Sequence, residues 1–282
     1  MKTGSCLCGA IRWQMRDIAG SMSHCHCSMC RKAHGAAFAT FVTVAEKDFQ
    51  WTAGDANRPQ YEATPGADLL RCFCPTCGSA VPTSSGGEFF VPAGCLDDDP
   101  GVRPTHHIFV GSKAPWHEIT DTLPQHDCYD EGSNLSVVDR PDAPAPVSGK
   151  CRGSCLCGAV VFNVLEAFKV VHNCHCTRCQ KARAAAHTTN GFVSLDGIEF
   201  LSGEDNLSSY KVPDAKFFTH VFCRTCGSGM PRRDPARGLT AVPLGALDDD
   251  PSGGAVDNIF VNYKAPWYEI TDSLPMFEEG PG

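Results

Sequence analysis

The sequence predicts a mainly β fold, built as two tandem zinc domains on Cys-x-Cys and Cys-x-x-Cys knuckles. Three observations predict it. One pattern of seven cysteines occurs twice along the chain. The apolar runs are short, β-branched and aromatic, and no amphipathic pattern is long enough for a substantial helix. The 27 glycines and 20 prolines are spread along the whole chain and indicate many loops. Small, loop-rich domains are commonly stabilised by bound metal ions.

The repeat is visible first in its cysteines. The motif GSCLCGA occurs twice, and each of the seven cysteines recurs 149 residues later, as Cys155 does after Cys6. Beyond the last cysteine pair, LDDDP at Leu96–Pro100 recurs 151 residues later, at Leu247–Pro251. The chain is therefore predicted to be an internal duplication, whose second copy has a loop two residues longer shortly before this motif.

The domain boundaries follow from composition. We assign domain one to residues 1–126 and domain two to residues 150–282. Between them, the stretch from His126 to Lys150 loses hydrophobic periodicity and gains Pro, Ala, Ser and Asp. This composition is typical of a partly extended linker, which we place at 127–149.

Several strands can be located inside the domains. Ile11, Trp13 and Met15 alternate with polar residues, which predicts a half-buried strand. Ala37–Val44 and Phe217–Phe222 are apolar, aromatic and β-branched, which favours strands as well. The stretch RKAHGAA, after the third cysteine of the first copy, is predicted to form a short turn of helix.

The bulk composition excludes several classes of function. The net charge of −8 and the lack of a basic run argue against nucleic acid as a partner. No apolar run is long enough to span a membrane, and Met1–Ala10 has no apolar leader segment. The 18 cysteines raise the alternative of a secreted disulfide scaffold. Closely spaced cysteine pairs suit metal knuckles better, so we expect a reducing, cytoplasmic location. The sequence leaves the oligomeric state open.

Each domain is predicted to contain a closed zinc site with four cysteine ligands. A Cys-x-Cys-Gly and a distant Cys-x-x-Cys-Gly together close a tetrahedron of thiolates, which leaves no coordination position for chemistry. These structural zinc ligands are Cys6, Cys8, Cys74 and Cys77 in domain one, and Cys155, Cys157, Cys223 and Cys226 in domain two. The alternative is a set of reduced core cysteines in each domain.

A second set in each domain has three cysteines and no obvious fourth. These candidate catalytic residues are Cys25, Cys27 and Cys30 in domain one, and Cys174, Cys176 and Cys179 in domain two. Three protein ligands with an exchangeable fourth position are typical of catalytic zinc. Three thiolates leave the complex with a negative charge, which suits the binding of a substrate thiol better than the acidification of water. We therefore expect up to four zinc ions per chain, two structural and two at open sites.

The alternative is that a histidine completes the fourth position. His24 and His34 have no histidine counterpart in domain two, which has Asn173 and Arg183 there. His26 does recur, but it lies between two cysteine ligands, where alternation along an extended segment would point it away from them.

These motifs together resemble the glutathione-dependent formaldehyde-activating enzyme family, also called the centromere protein V/GFA family. The matching segments in domain one are G-x-C-x-CG at Gly4–Gly9, CHCSxCRK at Cys25–Lys32, R-x-FCxxCG at Arg71–Gly78, HIFV-x-SKAPW at His107–Trp116 and I-x-D-x-LP at Ile119–Pro124. The likeness covers nearly all of both halves except the linker.

The resemblance implies a β-tent fold, a structural four-cysteine zinc and a second zinc on three cysteines. It also implies a carbon–sulfur lyase activity, in which glutathione adds to formaldehyde to give S-hydroxymethylglutathione, and the reverse. Glutathione would then be a co-substrate whose thiol meets the second zinc.

Departures from the family pattern are concentrated in domain two. Gln180, Ala184, His187, His220 and Asn258 replace the family-like residues of domain one, while all seven cysteines remain. We therefore expect domain one to carry most of the chemistry and the three-cysteine site of domain two to have an altered role.

Basic residues near the open sites are candidates for binding the glutathione carboxylates. They are Arg31, Lys32 and Arg71 in domain one, with Lys181 and Arg183 in domain two. The alternative for each of them is an ordinary surface charge.

The sequence thus predicts a zinc-dependent carbon–sulfur lyase or adduct-forming enzyme. Its substrate would be a glutathione, or other thiol, conjugate of formaldehyde or a related small electrophile. Two alternatives remain at this point: a non-catalytic, zinc-stabilised interaction scaffold, and a zinc store or redox sensor that releases metal on oxidation.

Overall fold

The computed structural model describes residues 1–16, 18, 21–63, 70–130 and 151–280. Within these ranges the chain forms 22 strands and two α-helices, so the predicted mainly β fold is confirmed. Most of the predicted linker, from residue 131 onwards, lies outside the described residues. No helix in these ranges combines the length and the apolar character needed to cross a membrane.

The described part of the first half contains β1 (Lys2–Ser5), β2 (Arg12–Met15), β3 (Met22–Cys25), β4 (Ala39–Ala45), β5 (Phe49–Ala53), β6 (Gln60–Glu62), β7 (Leu70–Phe73), β8 (Ala80–Val81), β9 (Thr83–Ser85), β10 (Glu88–Pro92) and β11 (His106–Ile108). The second half contains β12 (Cys151–Ser154), β13 (Val161–Val164), β14 (Val170–Cys174), β15 (Thr188–Ser194), β16 (Ile198–Ser202), β17 (Leu207–Lys211), β18 (Thr219–Cys223), β19 (Arg232–Asp234), β20 (Leu239–Pro243), β21 (Asp257–Ile259) and β22 (Met276–Phe277). The helices are α1 (Ser28–His34) and α2 (Thr177–Arg183). Short 3-10 helices span Glu46–Asp48, Asp55–Asn57, Ala93–Cys95, Val110–Ser112, Glu204–Asn206, Leu244–Ala246 and Val261–Tyr263.

The strands form corresponding sheets in the two halves. The order β1-β2-β5 recurs as β12-β13-β16, and β11-β3-β4-β10-β9 recurs as β21-β14-β15-β20-β19, where β22 extends the edge. The sheet β6-β7-β8 has β17-β18 as its counterpart. The predicted alternation around Trp13 lies on β2, where Trp13 and Met15 are buried. The predicted strand from Phe217 begins two residues later, as β18, and leaves Phe217 exposed.

The predicted difference in loop length lies in one hairpin. In the first half, Ser85 pairs with Glu88, so residues 86–87 form the turn between β9 and β10. In the second half, Asp234 pairs with Leu239, so the turn between β19 and β20 spans residues 235–238. The longer turn adds Arg237, a cation with no counterpart in domain one.

Both helices begin at a cysteine of the three-cysteine motif. Cys27 Sγ accepts the amide hydrogen of Cys30 at 3.3 Å, and thereby caps α1. The helix ends at Gly35, whose φ of 58° is a conformation that glycine adopts without strain. In the second half Ala184 takes the same left-handed conformation, with φ of 51°. The short helices fix the third cysteine of each motif relative to the other two.

The two halves share their hydrophobic cores. One buried cluster combines the core of domain one with Ala184, Ala186 and Trp267 from domain two. The backbones also approach closely, because a Cβ added to Gly94 would lie 2.1 Å from Ala185 N. The equivalent contact brings Gly245 against Ala36, just after the end of α1. Each domain therefore completes the packing of the other.

Two lysines, one buried and one partly buried, join the halves reciprocally. Lys32 on α1 lies 2.7 Å from Asp248 Oδ1 and donates hydrogen bonds to Ser154 O at 2.8 Å and Ala246 O at 3.0 Å. Lys181 on α2 makes the equivalent contacts with Ser5, Cys95 and Asp97 of domain one. Because Ser154 and Ser5 precede the first cysteines of the four-cysteine sets, each lysine links the helix of one domain to a metal knuckle of the other.

The two lysines differ in burial, which gives a testable difference in stability. We expect Lys32→Met to lower the free energy of unfolding by about 3–5 kcal/mol, because it removes a buried cation 2.7 Å from Asp248 Oδ1 together with its hydrogen bonds to Ser154 O and Ala246 O. Lys181→Met is expected to cost less, because the Asp97 side chain is 37% exposed and stays hydrated. Urea unfolding of the zinc-loaded chain measures both. An equal or smaller loss for Lys32→Met would contradict this ranking.

Candidate metal centres and substrate cavity

The four-cysteine sets are assembled as predicted. The sulfur atoms of each set lie within 4.8 Å of one another, and all eight cysteines are free thiols. Individual sulfur pairs are 3.5 Å apart for Cys6 and Cys8 and 3.7 Å apart for Cys157 and Cys223. Zinc–sulfur bonds of about 2.3 Å place the ligands of a tetrahedral site roughly 3.8 Å apart. The donor sets therefore fit zinc.

Backbone amides support the negative charge that these ligands need. Ile11 N donates to Cys6 Sγ, and Val160 N donates to Cys155 Sγ, both at 3.3 Å. Within the sets, a hydrogen bond from Cys74 lowers the pKa of Cys6 to about 7, and one from Cys155 lowers the pKa of Cys223 to about 7. A thiol cluster that already favours a thiolate is suited to binding a cation.

The three-cysteine sets are equally compact. The sulfurs of Cys25, Cys27 and Cys30, like their counterparts in domain two, lie within 4.8 Å of one another. In domain two, Cys176 Sγ accepts the amide hydrogen of Cys179 at 3.4 Å. Hydrogen bonds from Cys174 and Cys179 lower the pKa of Cys176 to about 3. Each set therefore offers three sulfur donors to a soft metal ion.

The histidines near these cysteines have other partners. His26 points away from the cluster, as predicted, with its Nε2 2.8 Å from His107 Nδ1. His24 Nδ1 lies 2.8 Å from Thr40 Oγ1, and His34 Nδ1 donates to Arg183 O at 2.8 Å. Within the described residues, the three-cysteine groups include no histidine or carboxylate as a fourth member. The geometry thus favours an exchangeable fourth position over a histidine ligand.

The first three-cysteine site is enclosed. Cys25, Cys27 and Cys30 are 5%, 8% and 3% exposed, and they belong to the buried cluster that contains the core of domain two. Beside them, Tyr129 packs edge-on against Phe109 with ring centroids 4.7 Å apart. Burial and the neighbouring cysteines of this site raise the pKa of Tyr129 to about 12. Tyr129, at the start of the predicted linker, therefore lies near the first site.

The second three-cysteine site opens into a cavity of about 580 Å³. Cys174, Cys176 and Cys179 contribute to its lining, together with residues of β14, β15, β18 and β19 and of the segment from Ile259 to Tyr263. Five cationic side chains line it: Arg178, Arg183, Lys216, Arg232 and Arg237. Glu279 is the one carboxylate in the described lining. The cavity therefore attracts anions toward three sulfur donors.

An arginine lies beside each site, but on different elements. In domain one, Arg71 on β7 donates to Cys30 Sγ at 3.4 Å. In domain two the counterpart of Arg71 is His220, while Arg183 on α2 stands at the position of His34 and donates to His220 Nε2 at 3.0 Å. Burial lowers the pKa of His220 to about 3, so its ring is neutral and accepts this bond. The histidine and the arginine have exchanged places, which keeps a cation next to the cysteines of both domains.

The structure places two of the five predicted glutathione contacts, Lys32 and Lys181, away from the three-cysteine sites. Lys32 does not face the open site, because it is buried in the contact with domain two, as is Lys181 in the reverse contact. Arg71 lies at the first site, against a cysteine sulfur. Arg31 lies half-buried on α1, and its role stays a prediction.

Sequence reasoning missed most of the residues around the cavity. Lys216, Arg232 and Arg237 line it, yet none belongs to a cysteine motif. A comparison of the two halves contains a signal, because Lys216 and Phe217 stand where domain one has Ala67 and Asp68. Tyr129 gives no comparable signal, because it belongs to the segment assigned to the linker.

Comparisons with known proteins agree with the duplication. A family model described as glutathione-dependent formaldehyde-activating enzyme matches residues 1–112 and again residues 150–263. A crystal structure of a Rhodobacter sphaeroides protein is 28% identical to the part that it matches, which is 36% of this chain and 91% of that chain, with a TM-score of 0.30. No protein with a curated description matches this chain.

Proposed function

Because this chain belongs to the glutathione-dependent formaldehyde-activating enzyme family, we propose that it makes and breaks the carbon–sulfur bond of a glutathione adduct, and that it does so in domain two. The observation that carries this proposal is the cavity of about 580 Å³, which joins three cysteine sulfurs to five cationic side chains. Glutathione has a thiol and two carboxylates. Its sulfur could therefore meet a metal ion held by the three cysteines, while its carboxylates bind the cationic side chains.

The three cysteines of domain two would hold a zinc ion, which supplies a soft Lewis acid that keeps a substrate thiol ionised at neutral pH. The remaining residues bind and orient. Arg183 is fixed by its hydrogen bond to His220 and lies next to the cysteines. Lys216, Arg232 and Arg237 line the cavity and can receive carboxylates.

The reaction balances without a further reactant. The substrate thiolate donates its electron pair to the carbonyl carbon of the aldehyde, and the carbon–sulfur bond forms. The carbonyl π pair moves to oxygen, which takes a proton from water. Reversal removes that proton, re-forms the carbonyl group and releases the thiolate. The chain contributes orientation of the two reactants within one cavity.

This assignment reverses the expectation that domain one does most of the chemistry. The three cysteines of domain one are packed into a hydrophobic cluster, and Tyr129 lies beside them. A substrate as large as a tripeptide needs a cavity, and in domain two the equivalent cysteines line one. We therefore assign metal binding without substrate turnover to the first site.

Metal and thiol stoichiometry test the proposal. We expect about four zinc ions per chain by elemental analysis of protein purified without chelator, and one bound glutathione per chain by calorimetry. Cobalt substitution adds a direct readout, because a thiolate that joins the metal changes the sulfur-to-cobalt charge-transfer absorption.

Two outcomes would contradict it. About two zinc ions per chain would leave only the four-cysteine sites loaded and favour an interaction scaffold. Four zinc ions with no spectral response to glutathione would favour a zinc store or redox sensor, and mild peroxide that releases zinc reversibly would support that reading.

A further inference from the structure

We propose that the cavity of domain two is specific for a thiol adduct that carries an aromatic or extended apolar group as well as its carboxylates, rather than for a one-carbon adduct. The inference rests on the proposed function and deepens it by naming the substrate class. Its basis is an internal comparison of sequence, because the residues that line the cavity can be matched to positions of domain one through the repeat.

Domain two has gained aromatic side chains around its cavity. Three of the lining residues are aromatic where the matching position of domain one is small or polar. These are Phe192 in place of Thr43, Phe217 in place of Asp68, and Tyr263 in place of Ser112. Aromatic rings provide large apolar contact areas and stack on flat groups. One lining position changes in the opposite direction, because Asn190 stands in place of Phe41, so the lining gains two aromatic rings on balance at these positions.

Domain two has gained cations at the same cavity. Most of its positive lining residues stand where domain one has an uncharged residue or no residue. These are Arg178 in place of Met29, Lys216 in place of Ala67, Arg232 in place of Thr83, and Arg237 from the longer hairpin turn. With one carboxylate in the described lining, the cavity favours a ligand with more than one negative charge.

The aromatic and cationic gains meet at the mouth of the cavity. Phe217 is 45% exposed, although two cationic side chains make cation–π contacts with its ring. Lys216 Nζ lies 5.0 Å from the ring centroid, and Arg237 Cζ lies 5.3 Å from it. Asp234 accepts hydrogen bonds from both Arg232 and Arg237 and holds them in place. The mouth of the cavity therefore combines the apolar ring of Phe217 with positively charged side chains whose positions are fixed by hydrogen bonds.

A one-carbon adduct would leave these groups without partners. Sites of about 300–1,000 Å³ bind drug-sized ligands, and this cavity lies in that range. An apolar group on the adduct would bury Phe217 and fill the space that a hydroxymethyl group cannot. The substrate class that fits is a polyanionic thiol conjugated to a bulky, apolar aldehyde.

Two unreactive thioethers test the inference on the zinc-loaded full-length chain. Calorimetry of S-benzylglutathione and S-methylglutathione compares ligands that differ only in the apolar group, so any contribution of the sulfur or the carboxylates cancels. We expect the benzyl compound to bind about tenfold more tightly, which corresponds to about 1.4 kcal/mol. Phe217→Ala is expected to reduce the ratio to about two.

Phe200→Ala is the matched control. Phe200 also lies under an arginine, with Arg233 Cζ 5.2 Å from its ring, but outside the cavity lining. This variant should keep the tenfold ratio. A benzyl-to-methyl ratio near one, or a ratio unchanged in Phe217→Ala, would overturn the inference. Cobalt-substituted protein that still responds to glutathione would show that the proposed function survives that failure, whereas loss of this response would remove the function itself.

Discussion

Cys179→Ser is expected to lower kcat/KM for adduct formation or cleavage by about a thousandfold, equivalent to about 4 kcal/mol of transition-state stabilisation. Serine leaves two thiolates at a site that needs three, so the metal that orients the substrate thiol is lost or displaced. The loss should be large because Cys179 lines the cavity where we place both reactants.

Cys30→Ser provides the matched comparison, because it makes the same change at the enclosed site. We expect this variant to bind one zinc ion fewer per chain and to retain kcat/KM within about threefold, since the first site takes no substrate. Zinc analysis and a thermal melt of both variants separate loss of chemistry from loss of folding. If Cys30→Ser abolished turnover while Cys179→Ser preserved it, domain one would be the working half, as the family-like residues of domain one suggested.

The second large effect concerns the separation of the two halves. We expect residues 1–130 or residues 151–282, produced alone, to form no folded monomer. Trp267 and Ala186 of domain two complete the core cluster of domain one, and buried Lys32 binds Ser154 and Asp248 of the other half. Exposure of such surfaces to water costs about 25 cal/mol for each Å² of apolar area. Separation of the halves also removes the partners of buried charged groups, which is a further cost in stability.

Sedimentation and circular dichroism test this expectation directly. Each half alone should aggregate, or pair with itself through the same surface, whereas co-production of the two halves should restore a soluble complex with about four zinc ions. A half that sediments as a monomer, melts cooperatively and holds two zinc ions would show that the shared core is dispensable.

The sequence was most informative where function depends on residues close together in the chain. The knuckle at Cys25–Cys30 needs only local backbone turns, and the structure gathers its sulfurs as the spacing predicts. The pairing of Cys8 with the distant Cys74 was also predictable, because two half-sites of one tetrahedron need each other. Alternation predicted β2 for the same local reason.

Prediction failed where a side chain is satisfied by the other half. Lys32 follows the CHCSMC motif and therefore looked like a substrate contact, yet it is buried against Asp248, more than two hundred residues away. The cavity of domain two was not predicted for a similar reason, because the residues that line it come from segments that are distant along the chain.

The sequence by itself determined the duplication, the mainly β fold and the four sulfur clusters, because cysteine spacing and strand alternation are local properties of the chain. Only the tertiary structure showed that the three-cysteine site of domain two opens into a cavity. A cavity depends on packing between distant segments: the longer hairpin and Phe217 frame this one, whereas the cysteines of the first site belong to a buried cluster that they share with the core of domain two. Two sites with the same ligands therefore have different surroundings, and that difference is a property of the packed molecule.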